Sequence, residues 1–166
     1  MYLNSYISKM MKIILIMLVG YLSAEMLPEN GAEMNYTQVF FRWEQIPSAE
    51  SYQFTIWNID TEEESTLDVS QNSVLLTDFI DWNSTYNWFI CGLFSDSDTP
   101  FCSEIYSFVI NPLPDYFPDL INVFNYNDSL CQDGVTVMDM ESLNFSLGLD
   151  RDGIPIWFVD KNNFEE

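Results

Sequence analysis

The stretch VFFRWEQIPSAESYQFTIW, residues 39–57, reads as two strands joined by a polar corner. In the first, Val39, Phe41 and Trp43 alternate with Phe40 and Arg42. In the second, Tyr52, Phe54 and Ile56 alternate with Gln53, Thr55 and Trp57. Aromatic and aliphatic side chains at a spacing of two mark strands packed on one face. Ile46-Pro47-Ser48-Ala49 cannot continue a ladder, because proline has no N–H to give. A large indole, a tight corner and a tyrosine-led strand together form the start of a β-sandwich core.

The same texture continues on both sides. Upstream, Leu27-Pro28-Glu29-Asn30-Gly31 is a turn-rich entry, and the first strand is expected over 36–43. Downstream, 60–64 is an acidic tip, with short strands expected over 65–69 and 73–76. A long polar corner, 77–85, leads to a strand over 86–94 with Tyr86, Trp88 and Ile90 on one face. Asp96-Ser97-Asp98-Thr99-Pro100 turns the chain, and 101–110 returns as the last strand. No helical periodicity intervenes, so the expectation is an all-β sandwich of about seven strands. Trp43, Tyr52, Tyr86 and Trp88 are its expected structural core.

Residues 27–110 resemble a fibronectin type III domain. The resemblance rests on Trp43, on Ala49-x-x-Tyr52, and on Leu76 followed by Tyr86-x-Trp88-x-Ile90. The closing Ser103-x-Ile105-x-Ser107-Phe108-x-Ile110 also carries it. It implies that Tyr86 is the tyrosine of the corner, with its hydroxyl bonded back to nearby backbone. Another immunoglobulin-like sandwich is the alternative and changes little about function.

Charge narrows the partners. The chain carries 26 acidic residues against five basic ones and no histidine, a net charge of −21. A surface this acidic repels nucleic acid and anionic lipid, because both need cationic contacts. It reads first as a solvated, self-repelling surface, and second as a polyvalent cation-binding one. At the start, Lys12 precedes the uncharged run IILIMLVGYL, 13–22, and then Ser23-Ala24. Ten apolar residues are too few to span a bilayer, which takes about 20. The pattern is that of a signal peptide over residues 1–24, with Met10 or Met11 as alternative starts and a buried N-terminal helix as the rival. The expected location is therefore secreted, periplasmic or cell-surface, with no membrane span after cleavage.

Cys91 and Cys102 flank the turn near Ser97, so they fall almost opposite each other on a hairpin. An exported chain can oxidise such a pair, and a Cys91–Cys102 disulfide is expected. Type III domains generally lack this bond. Cys131 is left over, either free or with an unseen partner.

Asn111-Pro112-Leu113-Pro114-Asp115-Tyr116-Phe117-Pro118 breaks the strand pattern, so 111–120 is read as a semi-rigid linker. Beyond it, 121–166 holds an expected strand at 121–126, a turn over 133–137 feeding another strand, and a hairpin. That hairpin joins 145–150 to 154–159 through Arg151-Asp152-Gly153. An isolated, incomplete hairpin segment is marginal in water, so something must cover Trp157 and Phe158.

Residues of about 131–160 resemble the opening of the arylsulfotransferase family. The motifs are Asp133-Gly134-Val135-Thr136-Val137 and Leu149-Asp150-x-Asp152-Gly153-x-Pro155-Ile156-Trp157. The resemblance implies a β-propeller blade of strand, Asp-Gly turn and strand ending on tryptophan, which a small sandwich can precede. The family transfers sulfate between phenols through a histidine, and this chain has none. No catalytic residue is carried over, and the resemblance implies a truncated relative that is not an enzyme as it stands.

Other chemistry fares no better. Asp150-x-Asp152-Gly153 is half a calcium loop, but the twelfth position is Lys161 where a glutamate is needed, so it reads as a turn. Paired acids such as Asp78/Asp81 and Asp96/Asp98 arise by chance in so acidic a chain. Serine nucleophiles lack a histidine base, and no glycine-rich phosphate loop occurs. No catalytic, cofactor-binding or metal-binding residue is therefore assigned. Sequons stand at Asn35, Asn83, Asn127 and Asn144. Phe40, Trp57 and Phe89 face away from the inferred core and form a candidate docking surface for a missing C-terminal domain, another extracellular protein or a glycan. Two functions are expected: an exported spacer before a sulfotransferase propeller, or a complete extracellular binding or adhesion module.

Overall fold

The structure is a computed structural model and describes residues 26–95, 97–115, 117, 134–140 and 145–160, without the side chains of Ser97 and Asp98. The expected leader, the strand at 121–126, Cys131, Asn127 and Asn144 lie outside the described residues. Every regular element among them is a β-strand.

Alternation in the opening stretch has its predicted consequence. In β2 (Val39–Arg42), Val39 and Phe41 are buried while Phe40 and Arg42 are exposed. In β3 (Ser51–Asn58), Tyr52, Phe54 and Ile56 point inward. The two strands belong to different sheets. β2 pairs antiparallel with β5 (Ser73–Leu76), Val39 opposite Leu76 and Phe41 opposite Val74. β3 lies between β4 (Glu64–Val69) and β6 (Ser84–Phe94). The corner between the sheets is closed by the Ala49 N–H donating to Ile46 O at 3.1 Å. The Ile46 N–H donates to the Tyr52 hydroxyl at 3.2 Å. Tyr52 thus anchors the turn that sends its own strand into the opposite layer.

The larger sheet runs β1–β8–β6–β3–β4, where β1 is Ala32–Met34 and β8 is Tyr106–Ile110. β7 (Ser97–Cys102) pairs with the far half of the same β6 edge. The expected return strand is therefore split, its first part beginning at Ser97 inside the expected turn, and with β1 the sandwich has eight strands among the described residues. Ser103 explains the break. Its N–H still donates to Ile90 O at 2.8 Å, but its hydroxyl accepts from the Ile90 N–H at 3.1 Å in place of a backbone carbonyl. The ladder loses register there and resumes at Tyr106. β1 was not legible: its sequence, AEM, carries no β-branched or aromatic residue. It exists because it adds in parallel to β8, Met34 opposite Ile110.

Aromatic rings fill the space between the sheets. Phe41 meets Phe54 at 4.8 Å and Trp88 at 5.2 Å, and Trp43 stacks on Phe54 at 6.0 Å. Trp43, Tyr52, Tyr86 and Trp88 all lie in this core. Cys91 and Cys102 are directly opposite in β6 and β7 and are joined by a disulfide.

The strand expected from the 133–137 turn joins the C-terminal hairpin. β9 (Thr136–Met140), β10 (Phe145–Leu149) and β11 (Pro155–Asp160) form an antiparallel sheet in the order β11–β10–β9. The Asp150 carboxylate accepts from the N–H groups of Asp152 and Ile154 at 2.9 and 2.8 Å, and Gly153 supplies a φ of 82°. That is an Asx-type turn built on Asp150 Oδ1. Trp157 covers Gly148, where a Cβ would fall 2.6 Å from the indole Cδ1. The opposite face of the sheet buries Phe145, Leu147, Leu149 and Phe158 against Phe117.

Candidate functional site

Two features of the sandwich have the geometry of a working surface. The first is where the C-terminal sheet rests. Tyr36 forms a bridge with Trp157. The Thr37 N–H donates to Ile156 O at 2.8 Å, and the Phe158 N–H donates to Asn35 O at 3.0 Å. The expected strand over 36–43 is shortened because 35–37 has left the β2–β5 sheet to pair with β11. Trp82 completes the junction. Its indole N–H donates to Pro155 O at 3.0 Å, and its ring lies 5.6 Å from Phe158. It packs against both hydrophobic clusters. Phe158 is thus covered in part by the sandwich through Trp82, whereas the Trp157 ring lies over Gly148 of its own sheet. One signal was present in the sequence: Trp82 is an indole set between Asp81 and Asn83 in the long corner.

The second feature is the outer face of the large sheet. Trp57 on β3 and Phe89 on β6 meet edge to face at 6.1 Å. With Gln53, Thr55, Asn58, Glu62, Glu64 and Thr66 they line a groove of about 550 Å³. The floor is set by register: Thr55 lies opposite both Thr66 and Phe89, and Trp57 lies opposite Glu64. Thr55 is buried although it faces outward, because these neighbours crowd over it. Its hydroxyl lies 3.3 Å from that of Thr66. Phe40 does not join this groove. It is half exposed on β2, in the other sheet, opposite Leu75. Of the three expected docking aromatics, the fold brings two together and leaves the third on the far layer. The acidic tip at 60–64 is exposed, as expected, and its Glu62 and Glu64 line the groove.

Tyr86 connects the core to that tip. Its hydroxyl accepts from the Asp81 N–H at 2.8 Å and from Asn58 Nδ2 at 3.2 Å, and donates to Phe79 O at 3.4 Å. Asn58, buried beside it, accepts through Oδ1 from the N–H groups of Asp60 and Thr61 at 2.8 and 3.2 Å. The tip carrying Glu62 is therefore hung from the tyrosine corner. Tyr86→Phe is expected to destabilise the sandwich by about 1–3 kcal/mol, since it strands Asn58 and the Asp81 N–H. Burial also pushes the Tyr86 phenol above its usual 10.0. A raised acid is disfavoured in its charged form, so the stability it protects is intact below about pH 10 and falls as pH rises through the native value. The variant should show a shallower alkaline loss in urea melts taken between pH 8 and 11. Part of the slope should remain, because burial raises Tyr36 as well.

Among the described residues, no three acidic, cysteine or histidine side chains gather as a metal site. Asn35 and Asn83 are both placed: Asn35 Oδ1 accepts from Asn111 Nδ2 at 2.9 Å, and Asn83 holds a positive φ of 55° in its turn. No described helix is long and apolar enough to cross a membrane. The chain matches no protein-family model, and no curated protein is similar to it.

Proposed function

We propose that this chain is a non-catalytic exported module: a fibronectin type III-like sandwich that docks and orients the sheet that follows it, leaving its outer face for an extracellular partner. The observation that carries this reading is the junction. Two backbone hydrogen bonds join Asn35 and Thr37 to β11, and Trp82 is shared between both cores. The greater part of the C-terminal sheet's apolar face is spent on this contact and on Phe117, as expected of a segment held in place. Export is supported by the apolar run behind Lys12 and by the disulfide, a bond that persists in oxidising compartments. The absence of histidine from the whole chain removes the usual general base.

One observation favours a second reading. β9, β10 and β11 form an up-and-down meander whose last hairpin turns through Asp150 and Gly153 and carries Trp157. Such a meander would supply three of the four strands of an arylsulfotransferase-like propeller blade, for which the sandwich would be the spacer. Both readings make this chain itself inactive. Incubated with 4-nitrophenyl sulfate and phenol, it should release no nitrophenol above the uncatalysed rate; release would overturn the non-catalytic reading. Digestion with a broad-specificity protease separates the rest. A resistant fragment reaching beyond Val159 supports docking, and rapid loss of everything after Pro112 would contradict it.

A further inference from the structure

The Trp57–Phe89 groove is too specifically furnished for a bare sheet face. Two aromatic rings, packed edge to face, line it beside threonine hydroxyls, and two carboxylates, Glu62 and Glu64, line it as well. Among the described residues, no lysine or arginine lines it. Arg42 is on β2 in the opposite sheet and Arg151 is in the C-terminal turn. Aromatic faces attract cations through their quadrupole. Carboxylates attract them by charge and hydrogen bonding. A net charge of −21 adds a long-range field that concentrates cations at the surface.

We propose that this groove binds the guanidinium or ammonium group of a basic peptide segment on a partner protein. The group stacks on the Trp57 indole with Phe89 beside it, bonds to Glu62 and Glu64, and the peptide's backbone or neighbouring side chains use Gln53. Arginine fits better than lysine, because its planar head both stacks and forks onto a carboxylate. A neutral sugar could stack on the same rings, but the surrounding charge would do nothing for it. The inference deepens the reading of the sandwich as a module that presents this face. Its failure would leave the junction with β11 untouched, because protease resistance of the C-terminal sheet does not depend on the groove.

The test is a titration of the full chain, followed by NMR, with a capped pentapeptide carrying one central arginine. The comparison peptide carries citrulline, which keeps the shape and loses the charge. The arginine peptide should shift the Trp57 indole and Gln53 side-chain amide signals, and the citrulline peptide should bind about tenfold more weakly. Glu62→Gln/Glu64→Gln should weaken binding about tenfold, whereas Glu29→Gln/Glu50→Gln, which removes the same charge elsewhere, should change it less than about twofold. Trp57→Ala, followed through Gln53, should weaken it about fivefold. Equal losses in the two double variants would mean diffuse attraction to an acidic surface and would overturn the proposal. So would equal binding of the citrulline peptide, no shift at millimolar peptide, or a neutral oligosaccharide that moves the same signals at lower concentration.

Discussion

Trp88→Ala is expected to cost the sandwich about 3–5 kcal/mol, the range for deleting a large aromatic from a packed core. Small domains hold only about 5–15 kcal/mol in total, so the variant forfeits a large share of the stability. The geometry explains the size. Trp88 has no exposed surface and contacts rings from three other strands: Phe41 at 5.2 Å, Phe54 at 5.9 Å and Tyr106 at 5.2 Å. It joins both sheets of the sandwich, so no neighbour can collapse into the space without moving a strand. One detail separates burial from polarity. The Trp88 indole nitrogen is buried without a hydrogen-bond partner, as is that of Trp43. Such an orphan donor carries a penalty of about 1–3 kcal/mol. Trp88→Phe removes the donor and keeps most of the ring, so it should be far milder than the alanine variant. Urea unfolding followed by far-ultraviolet circular dichroism measures both. An alanine variant that loses less than about 1 kcal/mol would show that the two sheets do not meet through this residue.

Trp82→Ala should have the second-largest effect, and of a different kind. It removes the indole hydrogen bond to Pro155 O and the ring contact with Phe158, both of which cross from the sandwich to the C-terminal sheet. Truncating a half-buried tryptophan of this sort costs about 2–4 kcal/mol. That loss falls on the junction. The core behind it, centred on Phe41, Phe54 and Trp88, keeps its contacts. The expected result is two separated unfolding transitions, with the C-terminal sheet released first and cleavage after Pro112 accelerated. Intrinsic fluorescence and protease digestion would report it. A single, uniformly shifted transition would mean that Trp82 belongs to the sandwich alone.

The parts of this fold that were legible in the sequence are those set by alternation. Residues 39–57 specify an inner and an outer face unambiguously, because one register slip would bury Arg42 and expose Phe41. The same logic places 73–76 and the inward side of 86–94, and hairpin symmetry about Ser97 places the disulfide. Contacts made by short or irregular backbone were not legible. β1 has no pattern of its own and is held by β8. Ser103 breaks a strand by substituting a hydroxyl for a carbonyl, which composition does not announce. Asn35 and Thr37 pair with residues about 120 positions away, where local propensity says nothing. The candidate groove was half legible. Period two puts Trp57 outward, but only the pairing of β3 with β4 and β6 brings Phe89, Thr66 and Glu64 beside it. Phe40 looked equivalent in sequence because outwardness has two senses in a sandwich, one for each sheet.

The central claim is that the sandwich holds the C-terminal sheet through a shared backbone junction. Amide hydrogen exchange at Thr37 and Phe158 in the full chain tests it most directly. Thr37 donates to Ile156 O and Phe158 to Asn35 O, so each amide is protected only while the sheet is docked. Both should exchange as slowly as the amides of β10, and both should become fast together in Trp82→Ala. Exchange of Thr37 and Phe158 at the rate of free peptide, with β3 and β6 still protected, would contradict the account.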